Sequence, residues 1–408
     1  MYTRWITARL ARDLQKPLVH ILFGARQTGK TTLLQQLVPR PALSYNLADP
    51  QERTRLLADS GAFRRECEAL PTSRDPSLVV VDEAQAVPTI FDAVQVLFDR
   101  HPRRWRFVLC GSSARKLGKS SANLLPGRSL LHHLFPLILP ERLPEQELVE
   151  SLVLPLHSVD AEPTFPRAPL PVRLSYGDLP GVILLPEDDR ARVLRSYTAL
   201  HLEEEIRREA LVRDWGTFVN FLELAARESG GILNYAAISR EVGISIPTVK
   251  SHYQLLEDMF IGFHVPAFTR SPRKNLLSTP RFHLFDLGIR HAASGMRPGP
   301  EAFLADPGRF LEHWVVLELW KRLQYLGEGS LHYLRTKDGA EIDAIVELGG
   351  EVIPIKVKWT ARQSTSDAGA LERFIGETRG ARRRFVVCSC PRPAALTGRV
   401  TAIPWHAL

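Results

Sequence analysis

The chain has 408 residues, 44% of them hydrophobic and 24% charged, a balance suited to about two to four soluble domains, each with its own core. No run of about 18 apolar residues occurs, which argues against a membrane-spanning helix. A formal charge of +8 with a pI near 9.4 allows contact with nucleic acid without requiring it.

The opening "MYTRWITARLARDL" is basic but lacks the continuous apolar core and small-residue cleavage site of a signal peptide. It reads as an amphipathic helix, so the expected location is cytoplasmic. Residues 18–150 then alternate short apolar strands with helical stretches, the signature of a parallel sheet with helices on both sides. "LVHILF" is a strand, "KTTLLQQLV" opens a helix, and "SLVVVDEAQ" and "RWRFVLCGSS" are strands that end in polar residues.

The stretch "SLVLPLHSVDAEPTFPRAPLPVRLS" carries five prolines without a lasting period and reads as a domain crossing. From 188 to 229 the pattern is helical. "NYAAISREVGISIPTVKSHYQLLEDM" is a helix, a turn at Gly243, and a second helix with Pro247 in its first turn. On that helix Val249, Tyr253 and Leu256 recur on one face as core, leaving Thr248, Lys250, Ser251 and His252 outside. The chain closes with a helix from 308, the strand "SLHYLRT", a hairpin "AEIDAIVELGGEVIPIKVKW" turning at Gly349–Gly350, a helix, and the strand "RRRFVVCSC". The spacing of "CSC" does not suit a structural zinc pair, so the four cysteines read as buried thiols.

"GARQTGKT" fits the phosphate-loop pattern G-x-x-x-x-G-K-[ST] and has a strand before it and a helix after it. Gly24, Ala25, Arg26, Gln27, Thr28, Gly29, Lys30, Thr31 and Thr32 are therefore expected to hold the phosphates of ATP. The backbone N–H groups face phosphate oxygens, Lys30 reaches the β- and γ-phosphates, and the helix presents its positive end. Thr31 and Asp82 are the expected Mg2+ ligands, and Glu83 the residue that orients or deprotonates the attacking water. Ser112, with Ser113 beside it, is placed to hold that water or sense the γ-phosphate. Arg128 is a candidate for stabilising phosphoryl charge, in its own site or a neighbour's.

These motifs, with "YNLADP", "GSSARKL", "LLPGR", "LLEDMFIGFHVPAF", "FHLFDLGIRH" and "YLRTKDGAEIDAIVE", resemble the prokaryotic AAA+-type ATP-binding proteins. In those proteins an N-terminal AAA ATPase domain precedes a winged-helix segment and a C-terminal domain of unknown function (DUF4143). The resemblance covers nearly the whole chain in order. It implies an α/β fold, with ATP binding and hydrolysis at Lys30, Thr31, Asp82 and Glu83, and no settled cellular role. The expected domains are an AAA+-type P-loop ATPase domain at 1–150, a Pro-rich crossing and helical lid at 151–215, a winged helix-turn-helix at 216–270, and a restriction-nuclease-like C-terminal domain at 271–408.

In such nuclease folds, acids on a helix and a hairpin join an E-x-K pair to hold Mg2+. The matching positions are Glu312, Asp343 and the pair Lys356–Lys358, so a lysine stands where a carboxylate is required. An ammonium cannot ligate a metal. Only Asp343, with Glu312 or Glu341, remains as a metal-binding acid, and the domain is expected not to cut DNA.

Lys250, His252, Lys356 and Lys358 are candidates for DNA contact, helped by "RTK" at 335–337 and "RRR" at 382–384. Two roles fit: an Mg2+-dependent ATPase that binds or remodels DNA, or an ATP-driven switch acting on a protein partner. A homo-oligomer is compatible with either.

Overall fold

The computed structural model describes residues 4–112, 127–142, 170–202, 206, 214–269, 279–336, 339–378, 380–381 and 384–408. Ser113, most of the Pro-rich crossing, Lys337, Arg382 and Arg383 lie outside the described residues. The chain divides into two compact units. One runs to Pro136 and takes in Leu255–Ile261; the other holds Leu137–Gln254 and Gly262–Leu408. The first unit thus stops short of the expected boundary at 150. The segments expected to form separate winged-helix and C-terminal domains largely share the second.

In the first unit, β1 (Val19–Phe23), β2 (Leu43–Asn46), β3 (Ser77–Asp82), β4 (Trp105–Gly111) and β5 (Ser129–His133) form a sheet in the order β2-β3-β4-β1-β5. Every pairing is parallel. Parallel strands need crossovers that bury both faces, and β1, "VHILF", is buried at all five positions. The helices Lys30–Leu37, Pro50–Ala58, Ala62–Glu68 and Thr89–Arg100 make the crossovers. Phe63, Val79, Val81, Phe91, Trp105 and Phe107 lie in the core they enclose. Asp49 caps Pro50–Ala58 by accepting from the Gln51 N–H at 2.9 Å, with Pro50 in the first turn, where it sacrifices no hydrogen bond.

The second unit contains helices Trp215–Arg227, Tyr235–Val242 and Ile246–Asp258, the last of which crosses the division between units. An antiparallel pair follows, β6 (Gly262–Val265) with β7 (Arg281–Leu284). Asn234 caps Tyr235–Val242 through the Ala237 N–H at 3.0 Å. Val249, Tyr253 and Leu256 are buried, so the expected apolar stripe forms.

The remaining strands, β8 (Ser330–Arg335), β9 (Glu341–Leu348), β10 (Glu351–Val357), β11 (Phe385–Cys388), β12 (Ala394–Ala395) and β13 (Thr401–Pro404), form a mixed sheet in the order β12-β13-β11-β10-β9-β8. β9 and β10 are the expected hairpin about Gly349–Gly350. The helix Pro307–Leu326 is buried on most of its circumference and places Phe310, Leu311, Trp314 and Val315 in the core of this sheet. Among the described residues, no helix is long and apolar enough to cross a membrane.

Candidate functional site

The phosphate loop leaves the carboxyl end of β1, where an open parallel sheet places its ligands. Gly24 is there because an added Cβ would collide with the Leu134 carbonyl oxygen. Gln27 adopts a left-handed φ of 61° and Gly29 one of 93°, and the helix begins at Lys30. Lys30 is buried, and its ammonium donates to the carbonyls of Gly24 at 2.7 Å and Ala25 at 2.9 Å. Thr28 Oγ1 donates to the Ala25 carbonyl at 2.9 Å. Gln27, Thr31 and Thr32 are exposed, and Arg26 is half-buried.

Arg4, which the sequence did not single out, fixes the loop from behind. Its guanidinium donates to the carbonyls of Thr28 and Phe135, each at 2.6 Å, and only 6% of it is exposed.

The pairing of β1 and β3 with β4 brings the end of "VVVDE" level with this loop. Thr31 Oγ1 donates to Asp82 Oδ2 at 2.6 Å, so a hydroxyl and a carboxylate converge on one point, a donor set of hard oxygens that fits Mg2+. Asp82 Oδ1 accepts from the Glu83 N–H at 3.0 Å. Glu83 itself has a left-handed φ of 55°, a strained conformation for a non-glycine residue that directs its side chain independently of the strand. Ser112, at the end of β4, is buried and accepts from Gln85 Nε2 at 3.0 Å; the same amide donates to Glu83 Oε2. The expected phosphate loop, Asp82, Glu83 and Ser112 therefore gather at one sheet edge, and Gln85 is the member that sequence reading missed.

Arg128 is not part of this gathering. It immediately precedes β5, whose parallel register sets Ser129 beside Val19, at the end of β1 away from the loop. Four residue steps of about 3.3 Å separate Val19 from Phe23. Arg128 instead pairs with Asp99 at 3.0 Å. This corrects the expectation for its own site: strand direction, which a local motif does not encode, puts it at the wrong edge.

His252 also departs from its expected exposure. Its ring packs against Phe218 and Phe221 at centroid distances of 4.9 and 5.0 Å, and burial lowers its pKa. Lys250 is exposed, with its ammonium 5.3 Å from the centre of the Tyr235 ring.

In the second unit, Glu312, Glu341, Asp343 and Lys356 do come together. Lys356 Nζ donates to Asp343 Oδ1 at 2.7 Å, and the Val357 N–H donates to Asp343 Oδ2 at 2.6 Å. The unexpected member is Arg281 of β7. It donates to Glu312 at 2.6 Å and to Glu341, and its guanidinium lies 4.6 Å from the centre of the Tyr333 ring. Arg281 is only 4% exposed.

Three carboxylates thus face two cations, leaving one negative charge in excess. Burial, with the Asp343 carboxylate next, pushes Glu312 up to about 7. Burial likewise raises Asp343, opposed by Lys356. The donors a divalent metal would need are already engaged by a guanidinium and an ammonium, so this cluster does not fit Mg2+. Lys358 lies just past β10 and is exposed.

Residues 16–143 match the family described as AAA domain, 169–299 a domain of unknown function (DUF8612), and 307–408 a domain of unknown function (DUF4143). The chain is thus similar to the AAA domain family near its N-terminus and to the DUF4143 family over its last hundred or so residues. An uncharacterized protein of Mycobacterium tuberculosis is 26% identical over 364 residues, covering 88% of this chain and 74% of that protein. Another, from Haemophilus influenzae, is 23% identical over 369 residues, covering 86% and 85%. Among solved structures, the Aeropyrum pernix Orc1 protein in complex with DNA is 17% identical, covering 73% of this chain and 92% of that one. Its TM-score of 0.30 is too low to bear on function.

Proposed function

We propose that the chain is a Mg2+-dependent ATPase that couples ATP binding and hydrolysis to binding or remodelling of DNA. The observation that carries the ATPase reading is the meeting of Lys30, Thr31, Asp82 and Glu83 at the carboxyl edge of one parallel sheet. Lys30 and the loop N–H groups bind the phosphates, while Thr31 and Asp82 hold the metal. When bound, the metal neutralises phosphate charge. Glu83 orients the attacking water and accepts its proton, yielding ADP and phosphate.

The DNA half of the reading is supported by the helix-turn-helix followed by the antiparallel pair β6–β7, the element order of a winged helix. Lys250 is exposed on the second helix. The DUF4143 domain then serves as a binding module rather than a nuclease, because its acids are held by Arg281 and Lys356.

Phosphate release by the full chain, with and without duplex DNA, tests both halves. Lys30→Ala is expected to lose nucleotide binding. Glu83→Gln is expected to bind ATP yet turn it over slower by on the order of 10²-fold or more. DNA is expected to stimulate the wild type. Hydrolysis by Glu83→Gln at the wild-type rate removes Glu83 from the mechanism, and turnover indifferent to DNA favours the protein-partner switch.

A further inference from the structure

Gln85 sits two residues beyond Glu83, in a 3-10 turn formed by Ala84–Ala86, and is 9% exposed. Its amide orientation is fixed by chemistry. A carboxylate oxygen accepts and does not donate, so the side of the amide facing Glu83 Oε2 is the NH2 group. That same nitrogen reaches Ser112 Oγ at 3.0 Å. One amide therefore spends its two hydrogens on a carboxylate of β3's end and a hydroxyl of β4's end.

The opposite atom, Gln85 Oε1, is buried and has no hydrogen-bond partner among the described residues. It points at Gly111, where an added Cβ would lie 2.5 Å from it. The strand ending in "CGSS" thus makes room for this side chain with a glycine. A buried polar atom left unpaired costs about 1–3 kcal/mol, and a side chain placed for packing alone has no need to incur it. The left-handed φ of Glu83 is a second local cost at the same turn.

We propose that Gln85 is a positioning residue for nucleotide hydrolysis, its amide joining Glu83 to Ser112 so that a γ-phosphate arriving at Ser112 is registered at Glu83. The polarity of the hydrogen bonds supports this direction. Ser112 accepts from Gln85, which leaves its own O–H to donate outward to a phosphate oxygen. Donation by a hydroxyl strengthens it as an acceptor, and this tightens the Gln85 bond and holds the amide over Glu83. ADP lacks the γ-phosphate and leaves Ser112 without that acceptor. The inference rests on the ATPase reading and deepens it.

The test uses steady-state ATP turnover by the full chain in wild type, Gln85→Met, Ser112→Ala and the double variant. Gln85→Met keeps the length and loses both donors. A carboxylate held out of line costs on the order of 10²-fold. The expected result is a kcat loss of that size in Gln85→Met, with KM changed less than about threefold. The double variant is expected to be little worse than the poorer single one, because the two residues act as a chain.

Gly111→Ala provides a second route that leaves the amide in place. By crowding Gln85 Oε1 it is expected to lower kcat in the same manner, and it serves if Gln85→Met does not fold. A Gln85→Met kcat within twofold of wild type, or losses that multiply fully in the double variant, overturns the proposal. Absence of turnover in the wild type sinks the ATPase reading and this inference with it. Normal ATPase in wild type with normal Gln85→Met sinks only the role of Gln85.

Discussion

Arg281→Met removes the guanidinium from Glu312 and Glu341 while keeping apolar bulk against Tyr333. Arg281's side chain is 5% exposed and its two partners are 28% and 34% exposed. Removing one partner of a buried ion pair costs about 3–5 kcal/mol. The partial exposure of both acids places this site near the lower end, about 3 kcal/mol at pH 8. Lowering the pH to 5.5 protonates Glu312, which burial has pushed up to about 7, so roughly half of that penalty should vanish there.

Urea unfolding followed by tryptophan fluorescence reads the effect. Trp314, Trp320 and Trp405 lie in the unit concerned, and the midpoint shift of its transition gives the loss. Mg2+ or a chelator should leave the wild-type midpoint in place, since the acids already hold cations of the chain. A loss below about 1 kcal/mol at pH 8, or one that ignores pH, would refute the view that Arg281 is the counter-ion of this cluster.

The contribution of Glu312 to the stability of the second unit should fall as pH rises from about 4.5 towards about 7, against the opposite slope set by His283, His291 and His313, whose pKa values burial lowers. Between the ordinary carboxyl value of 4.5 and the raised folded value, the folded state holds a proton that the unfolded chain has released, and the sign follows by linkage. Glu312→Gln should remove that contribution, so thermal melts across the pH series should show stability rising more steeply with pH than in the wild type. Duplex DNA binding, measured by fluorescence anisotropy, should weaken steeply with added salt. Lys250→Glu should weaken it further with no change in melting temperature, whereas His252→Ala should lower the melting temperature by removing ring packing against Phe218 and Phe221.

Local order along the chain determined much of this protein. Strand, phosphate loop and helix are contiguous in "LVHILFGARQTGKTTLL", and the acids of "LVVVDE" follow a run apolar enough to be buried on both faces. The stripe of Val249, Tyr253 and Leu256, the cap at Asn234 and the turn at Gly349–Gly350 are likewise properties of neighbouring residues. Lys356 could be read as hostile to metal from its charge alone.

Strand direction and long-range pairing lay beyond that reading. They set Arg128 at the far edge of the sheet, joined to Asp99, and turned His252 onto a ring cluster. They brought Arg4 to a loop 24 residues away, and Arg281 to acids 31 and 60 residues away. Nothing beside "RFHLF" marks Arg281 as special. A buried cation is required only because three carboxylates from two other elements crowd the same space, and that requirement exists only once the chain has folded.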